Sequence, residues 1–549
     1  MAFTEMAYKA LQDIVGSENV SNDPAICQAY SRVQWLPSGV LQRERCGLAM
    51  RPACVVMPGS TQEVQRILQV ANRYTFPFVP RGSGFTFSAF PTLAGTIVID
   101  PKRMDRIIEL NEKDMYAVIE PYVSFVGLQA EAMKCGLYTP TPLAGSQVSC
   151  LANYSWHGAY GNSWITGIGA QNLLGFELVL PDGEVVRSGS MACPGAGSFW
   201  NDGPGPDLRG FLRSGMFGHA GGMGVVTKIS CKLWPYAGPA EFPAEGTANM
   251  KFSSSLGENW KWYMIKFPLK YPEQEEQELR KSAELFYEMG RAEIGEVATH
   301  LAQQFLYTYS SVTKQDLFDN MKNDVFPSGF CVVALQGKTS PDQLAYEDRV
   351  LHDIVKKVGG IFVKEDEPAY QVWIKRAANE WIRFGNAQRL SRASDCFSIG
   401  SSNVDSIDQI VYEILESNKV GRDLLKNEGL GKDFVQPLSM NGGWISPQEY
   451  GYWCLHTTDV FPEQAVDQCN QAIEIIGKVT KSQFERRSAA AAIHMIGPAY
   501  DLFGPMMGDV HLIVKGLKRE FDPGNLSNPG YATRPDVVTP EELAKMMGH

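Results

Sequence analysis

The chain has 549 residues, is 44% hydrophobic, carries a formal net charge of −11 and contains eleven cysteines. That length exceeds one ordinary core and predicts two substantial lobes. Its lysines and arginines form no run or stripe, which argues against nucleic acid or an anionic membrane as partner and for a small-molecule substrate.

The opening stretch "MAFTEMAYKALQDIVG" carries acidic residues and lacks an apolar leader core. Nowhere do about eighteen apolar residues run together. The expectation is a soluble, cytoplasmic protein without membrane insertion. The cysteines are scattered from Cys27 to Cys469 with no C-x-x-C pair, which predicts reduced thiols and excludes a grouped iron–sulfur site or an attached c-type haem. Any redox centre is then organic, or belongs to another subunit.

In chain order, the first strong element is a helix after Ser60. Ser60 and Glu63 stand at capping-box spacing, and Val64, Ile67, Leu68 and Ala71 recur at helical period. The short apolar run "FPFV" that follows predicts a strand, and "PRGSGF" is a glycine-rich turn at its end. Such a turn lets backbone N–H groups converge on a phosphate, with Arg81 able to add charge; a lone G-x-G also fits a plain strand-to-loop turn.

Further along, residues 145–169 form a long segment of small residues that could lie against the first turn as a two-sided cradle. "GFELVLPDGEVV" then predicts a β-hairpin turning at Pro181-Asp182-Gly183. "FGHAGGMGVVTKISCKLWP" adds a third glycine cluster leading into a strand over 225–233.

The ordered set "VVMPGSTQEVQRILQVANRYTFPFVPRGSGFTFS", "TIVIDPKRMDRIIELNEKDMYAVIEPYVSFVGLQ", "NLLGFELVLPDGEVVRSGS", "GHAGGMGVVTKISCKLWP" and "LKREFDPGNLSNPG" resembles the FAD-binding lobe of the vanillyl-alcohol oxidase / p-cresol methylhydroxylase superfamily. The resemblance covers roughly residues 50–236 and 490–530. It implies an α+β chain, with a PCMH-type FAD-binding domain over 1–240, a cap or substrate domain with an antiparallel sheet over 241–485, and a return to the FAD domain over 486–549.

Carried onto this chain, the resemblance makes Pro80, Arg81, Gly82, Ser83, Gly84 and Phe85 the first pyrophosphate loop. Ser146, Ser149, Asn153, His157, Gly158 and Gly161 become the second loop, beside the flavin ring. Gly224, Val225 and Val226 border the adenine side, and Asn528 with Pro529 closes over the flavin. Relatives with covalent FAD place a histidine where Phe85 stands, or a cysteine near Tyr138 and Thr139. Those departures imply dissociable FAD, with His157 reading as a hydrogen-bonding residue at the flavin edge.

Beyond residue 240 the periodicity predicts helices in "EEQELRKSAELFYEMG" and "VDQCNQAIEIIGKV", and strands in "GFCVVALQG" and "YGYWCLHTT". The metal-binding histidine segment of the superfamily's 2-hydroxyacid dehydrogenases has no counterpart in "PLSMNGGWISPQEYGYWCLH". His456 therefore reads as structural and the site as metal-free. The resemblance nominates His494 as the base facing the flavin, with Tyr500 and Arg486 near it in sequence. Trp444, Tyr309 and Arg383 are candidate substrate residues, though core packing or solvent also suits the last two.

The expected function is an FAD-dependent dehydrogenase. Hydride passes from an alcohol or 4-alkylphenol-like substrate to flavin N5, and electrons go on to a partner protein carrying an iron–sulfur cluster or haem. The sequence leaves open a D-2-hydroxyacid dehydrogenase without the usual metal site, an alkylglycerone-phosphate-synthase-like enzyme, and an electron-transfer subunit without its own substrate. It also leaves open oxidase chemistry and whether the assembly is a homo- or hetero-oligomer.

Overall fold

Helix formation near the start of the chain is locally encoded. In the computed structural model, α1 (Glu5–Val15) is capped by the Thr4 hydroxyl and buries Ala7, Leu11 and Val15. Strand β1 (Val20–Ser21) and helix α2 (Pro24–Tyr30) follow. The structure describes residues 3–31, 51–84, 91–140, 147–155, 163–210, 221–241, 256–270, 273–303, 307, 311, 313–371, 374, 399–434, 444–460, 462, 465–486 and 504–529.

After β2 (Cys54–Val56) comes α3 (Thr61–Tyr74), whose N-cap Ser60 accepts the Glu63 N–H. The Glu63 carboxylate in turn accepts the Gly59 N–H at 2.8 Å. Val64, Ile67, Leu68 and Ala71 are fully buried, and each of the larger ones contributes about 1.5–3 kcal/mol by leaving water. Strand β3 is Phe78–Pro80 and begins later than the run "FPFV" predicts. Pro77 has no N–H to give to a ladder, although its carbonyl accepts Ile97 N–H at 2.9 Å. With β4 (Ile97–Ile99), these strands form a sheet in the order β1-β2-β4-β3, parallel except at β1.

A second, antiparallel sheet runs β5-β6-β10-β8-β9, built from β5 (Ile107–Asn111), β6 (Tyr116–Ile119), β8 (Leu173–Val179), β9 (Val185–Arg187) and β10 (Val225–Lys232). The predicted β8–β9 hairpin is present, with Gly183 at φ 94° in its turn. Between β6 and β8 lie α4 (Phe125–Lys134), β7 (Leu137–Tyr138), α5 (Cys150–Tyr154) and α6 (Ser163–Thr166). Phe125, Leu128, Cys150 and Tyr154 from this stretch pack on Phe176 and Ile229 of the sheet.

Strand β11 (Trp234–Pro235) pairs with β7 and leads into the cap. There β12 (Trp260–Lys266), α7 (Glu275–Arg291), β13 (Val297–Ala302), α8 (Lys314–Lys322), β14 (Gly329–Gln336), α9 (Pro341–Val358), β15 (Ile361–Phe362), β16 (Ile399–Asp405), α10 (Ile407–Glu428), β17 (Trp444–Gln448), β18 (Trp453–Val460) and α11 (Val466–Glu485) follow in turn. The cap strands make one antiparallel sheet in the order β15-β12-β14-β13-β17-β18-β16. One face of it packs on α7, α9 and α10 through Ile265, Val333, Ile445 and Cys454, against Leu285, Leu351 and Ile410.

The chain returns to the first sheet after α12 (Val510–Phe521). Phe78 N–H donates to Leu526 O at 2.8 Å and Asn528 N–H to Phe78 O at 2.7 Å, so the tail joins the sheet edge beside β3. The result is the two-lobed α+β fold expected from the sequence. Among the described residues, no helix is long and apolar enough to cross a membrane.

Candidate functional site

Three segments far apart in sequence meet at the carboxyl end of β3. The first is the turn Arg81–Gly84. Arg81 N–H still donates to Ile99 O at 2.9 Å, which anchors the turn to the end of β4. Gly84 has φ 75°, and a Cβ there would lie 2.7 Å from Arg81 Nη2, so the glycine leaves room for the guanidinium to fold back. That guanidinium donates from Nη1 to Tyr30 O at 2.8 Å and lies 5.1 Å from the Tyr30 ring centroid. Burial pulls its pKa down while Tyr30, Asp100 and Tyr122 push it back up. Arg81 thus braces the turn as well as lending it positive charge. Tyr30, which sequence reasoning missed, donates its hydroxyl to Asp100 at 2.5 Å and accepts from Lys102 at 2.9 Å.

The second segment is the start of α5. Ser149 is its N-cap and accepts Ala152 N–H at 3.3 Å, while its hydroxyl donates to Pro121 O at 2.5 Å. Ser149 N–H donates to Ser83 Oγ at 3.2 Å. A Cβ on Gly82 would stand 3.6 Å from that of Ser149. The two loops therefore lie one against the other, as the cradle required. Asn153 stands on α5, one turn from the cap. Beside the contact is a cavity of about 550 Å³, which Ser83 and Ser149 line together with Ser124, Gly127, Asp105 and Glu131.

The third segment is Gly221–Val226. Gly221 and Gly224 have φ 69° and 120°, and a Cβ on Gly224 would stand 2.1 Å from Val179 O. Gly224 N–H donates to Ser527 Oγ at 3.0 Å, and Ser527 Oγ donates to Gly221 O at 2.7 Å. Pro80 is within 2.6 Å of where a Gly221 Cβ would be, with Asn528 Nδ2 at 3.9 Å. Val225 and Val226 open β10, so Pro80, Gly224, Val225, Val226 and Asn528 share one neighbourhood. Lys518, Asp522 and Ser527 were not among the predicted site residues; the available signal was a lysine and an aspartate one helical turn apart, before Pro-Gly.

Across the cap sheet, Trp444 pairs with Leu301 and Thr457, on the face opposite Ile445 and the helices. Its indole N–H donates to Thr299 Oγ1 at 2.7 Å. That face borders the first lobe: Trp260 lies 6.2 Å from Tyr236 between ring centroids, and Ala237 N–H donates to Gln336 at 2.7 Å. The Tyr138 hydroxyl donates to Glu296, while the Thr139 hydroxyl lies 2.5 Å from that of Tyr154.

His456 falls on the helix-packed face. It stands in one cross-strand row with Ile445 and His300, its Nδ1 is 3.1 Å from Trp444 O, and His300 Nδ1 is 3.0 Å from Ser282 Oγ. Burial pushes the pKa of His456 down to about 4 and that of His300 to about 3, the latter helped by the charge of His456. Among the described residues no group of three or more histidines, cysteines or carboxylates is arranged to hold a metal. Arg486 lies at the end of α11, where its Nη2 donates to the buried Glu413 of α10 at 2.9 Å. Phe85, Ser146, His157, Gly158, Gly161, Tyr309, Arg383, His494 and Tyr500 lie outside the described residues.

The FAD binding domain family matches residues 52–189, which span the Arg81–Gly84 turn, α5 and the β8–β9 hairpin. An uncharacterized FAD-linked oxidoreductase of Mycobacterium tuberculosis is 29% identical over 226 residues, 41% of this chain and 44% of that protein. The flavoprotein subunit of 4-cresol dehydrogenase (hydroxylating) of Pseudomonas putida is 29% identical over 201 residues, 34% of this chain and 36% of that one. The matched stretch is less than half the length of these curated relatives. The structure of p-cresol methylhydroxylase with substrate bound superposes over 97% of this chain and 98% of that chain, with a TM-score of 0.76 at 17% identity.

Residues 52–189 thus carry an FAD binding domain, and over nearly the whole chain the fold is that of p-cresol methylhydroxylase. The cofactor of this chain is FAD. The residues present suit that group in this fold. The cradle combines the Ser83 hydroxyl, braced by Ser149, with Arg81 and glycines whose missing side chains keep the backbone accessible, groups that suit a diphosphate.

Proposed function

We propose that this chain is a flavin-dependent dehydrogenase acting on an alcohol or 4-alkylphenol-like substrate, with the electrons leaving to a separate acceptor protein that carries an iron–sulfur cluster or haem. The observation that carries the reading is the Ser83–Ser149 contact at 3.2 Å, which joins two loops within the stretch matched by the FAD binding domain family. FAD, when bound, supplies N5 as the hydride acceptor. In this reading the Arg81–Gly84 turn and Ser149 hold the diphosphate, Val225 and Val226 border the adenine, and Asn528 with Pro529 closes the site.

Trp444 is oriented by its hydrogen bond to Thr299 and forms an aromatic wall for the substrate, which Tyr309 and Arg383 complete. His494 takes the hydroxyl proton as hydride leaves the substrate carbon, a role suited to a group that titrates near neutrality. Tyr500 supports it. Arg486 is bound to Glu413, so any electrostatic help it gives passes through that pair. The 4-cresol dehydrogenase relative supports the aromatic substrate class and the separate acceptor.

The test is an anaerobic screen of 4-alkylphenols, primary alcohols and 2-hydroxyacids for loss of the oxidised flavin absorbance. Bleaching by the first two classes is expected. Bleaching by hydroxyacids alone, or fast steady-state turnover with oxygen as sole acceptor, would overturn the reading.

A further inference from the structure

Lys518 is completely buried, an uncommon place for a lysine. Its ammonium has three donors, and all three are used: Nζ donates to Gly222 O at 2.5 Å, to Asp522 Oδ2 at 2.5 Å and to Ser527 O at 2.8 Å. Asp522 is as fully engaged. Its Oδ1 accepts Leu526 N–H at 2.9 Å and its Oδ2 also accepts Ser527 N–H at 2.8 Å. Burial pulls the Lys518 pKa down, and Asp522 opposes that.

A buried ion pair is a poor source of net stability, because apolar residues of similar volume commonly do as well or better. What this pair supplies is geometry. It bends the residues after α12 so that Ser527 reaches both ends of the Gly221–Gly224 turn, while Lys518 holds the carbonyl in its middle. Gly221 and Gly224 adopt left-handed backbone angles that glycine enters freely and leaves as freely. The turn therefore depends on outside anchors. The same tail carries Asn528 to Phe78, at the strand that delivers the Arg81–Gly84 turn.

We propose that the Lys518–Asp522 pair, acting through Ser527, is the positioning device that sets the Gly221–Gly224 turn and the strand before Arg81 at the spacing FAD requires. The pair touches neither cofactor nor substrate directly, and the inference rests on the FAD-binding reading of this lobe.

The experiment uses full-length protein made in a riboflavin-starved host and titrated with FAD, with binding followed by flavin fluorescence and apoprotein melting measured in parallel. Lys518→Met alone leaves Asp522 buried and unpaired and is expected to melt early. The double variant K518M/D522N removes both charges and keeps one acceptor oxygen for the Leu526 and Ser527 N–H groups. Its apoprotein should melt close to wild type, yet bind FAD at least about tenfold more weakly.

Ser527→Ala keeps the ion pair and removes both hydroxyl bonds to the glycine turn, so it should weaken FAD in the same way. It decides the matter should the double variant fail to fold. Wild-type FAD affinity in a folded double variant, or in Ser527→Ala, would overturn the proposal. A wild-type apoprotein that fails to take up FAD would instead overturn the FAD-binding reading beneath it.

Discussion

The backbone N–H of Ser149 donates to the hydroxyl of Ser83 at 3.2 Å, across 66 positions of sequence. This contact makes one site out of two loops that are each unremarkable alone. Ser149 also caps α5 and ties it to Pro121. Ser149→Ala should therefore cost about 1 kcal/mol of stability from the lost cap and weaken FAD binding by more than that loss alone explains. Parallel melting and FAD titration check it; FAD affinity equal to wild type would separate the cap from the cofactor site.

Gly224→Ala places a methyl 2.1 Å from Val179 O at a φ of 120°. No flexible side chain can move aside, because the obstacle is backbone. The expected cost is at least about 1–3 kcal/mol for the strained backbone alone, read as a lowered melting temperature. Gly82→Ala is the control, since the methyl there meets Ser149 at ordinary contact distance; it should fold normally.

Neither the histidine nor the cysteine through which related lobes link FAD covalently is present here. Phe85 occupies one position, and at the other Tyr138 donates to Glu296 while Thr139 lies within hydrogen-bonding distance of Tyr154. Acid precipitation should release yellow flavin into the supernatant. Flavin retained in the pellet would point to another linkage, with His157 the first residue to replace.

His494→Ala should slow anaerobic flavin reduction by the good substrate by roughly 10²–10⁴-fold, the usual contribution of a positioned general base. The oxidised flavin spectrum should persist, because the cradle comes from other segments. Near-normal reduction would shift the proton-transfer role to Tyr500.

The buried histidines predict acid sensitivity. His456 and His300 are held by burial at about 4 and about 3, below the ordinary value of 6.5. The unfolded chain therefore takes up protons first. The stability they allow is complete above pH 6.5 and is lost as pH falls toward their folded values, by about 2 kcal/mol per histidine at pH 5. Glu278 meets His300 around Gly329, and burial raises its pKa, so its protonation acts in the opposite sense. His300→Gln isolates the histidine. The stability gap between wild type and variant should change between pH 7 and pH 5 in favour of the variant, and a gap independent of pH would contradict the assignment.

Much of the first lobe could be read locally. The Ser60 cap, the apolar stripe of α3 and the Pro181–Gly183 hairpin each depend on residues a few positions apart, where propensity and periodicity act directly. The cap strands were legible for the same reason, since "GFCVVALQG" and "YGYWCLHTT" carry strong strand patterns. The glycine turn announced an anion site only together with the ordered family segments around it.

What the tertiary structure alone decided is which distant groups complete that turn. Arg81 packs on Tyr30, Ser83 meets Ser149, and Lys518 reaches Gly222 across 296 positions. Nothing in the local pattern sets such pairings, because each is fixed by how packed elements bring their ends together. The face on which a strand residue lies is likewise local in its alternation but not in its meaning. Trp444 and Ile445 are neighbours in sequence, and only the packing of α7, α9 and α10 on one side of the sheet turns Ile445 toward a core and leaves Trp444 facing the FAD lobe.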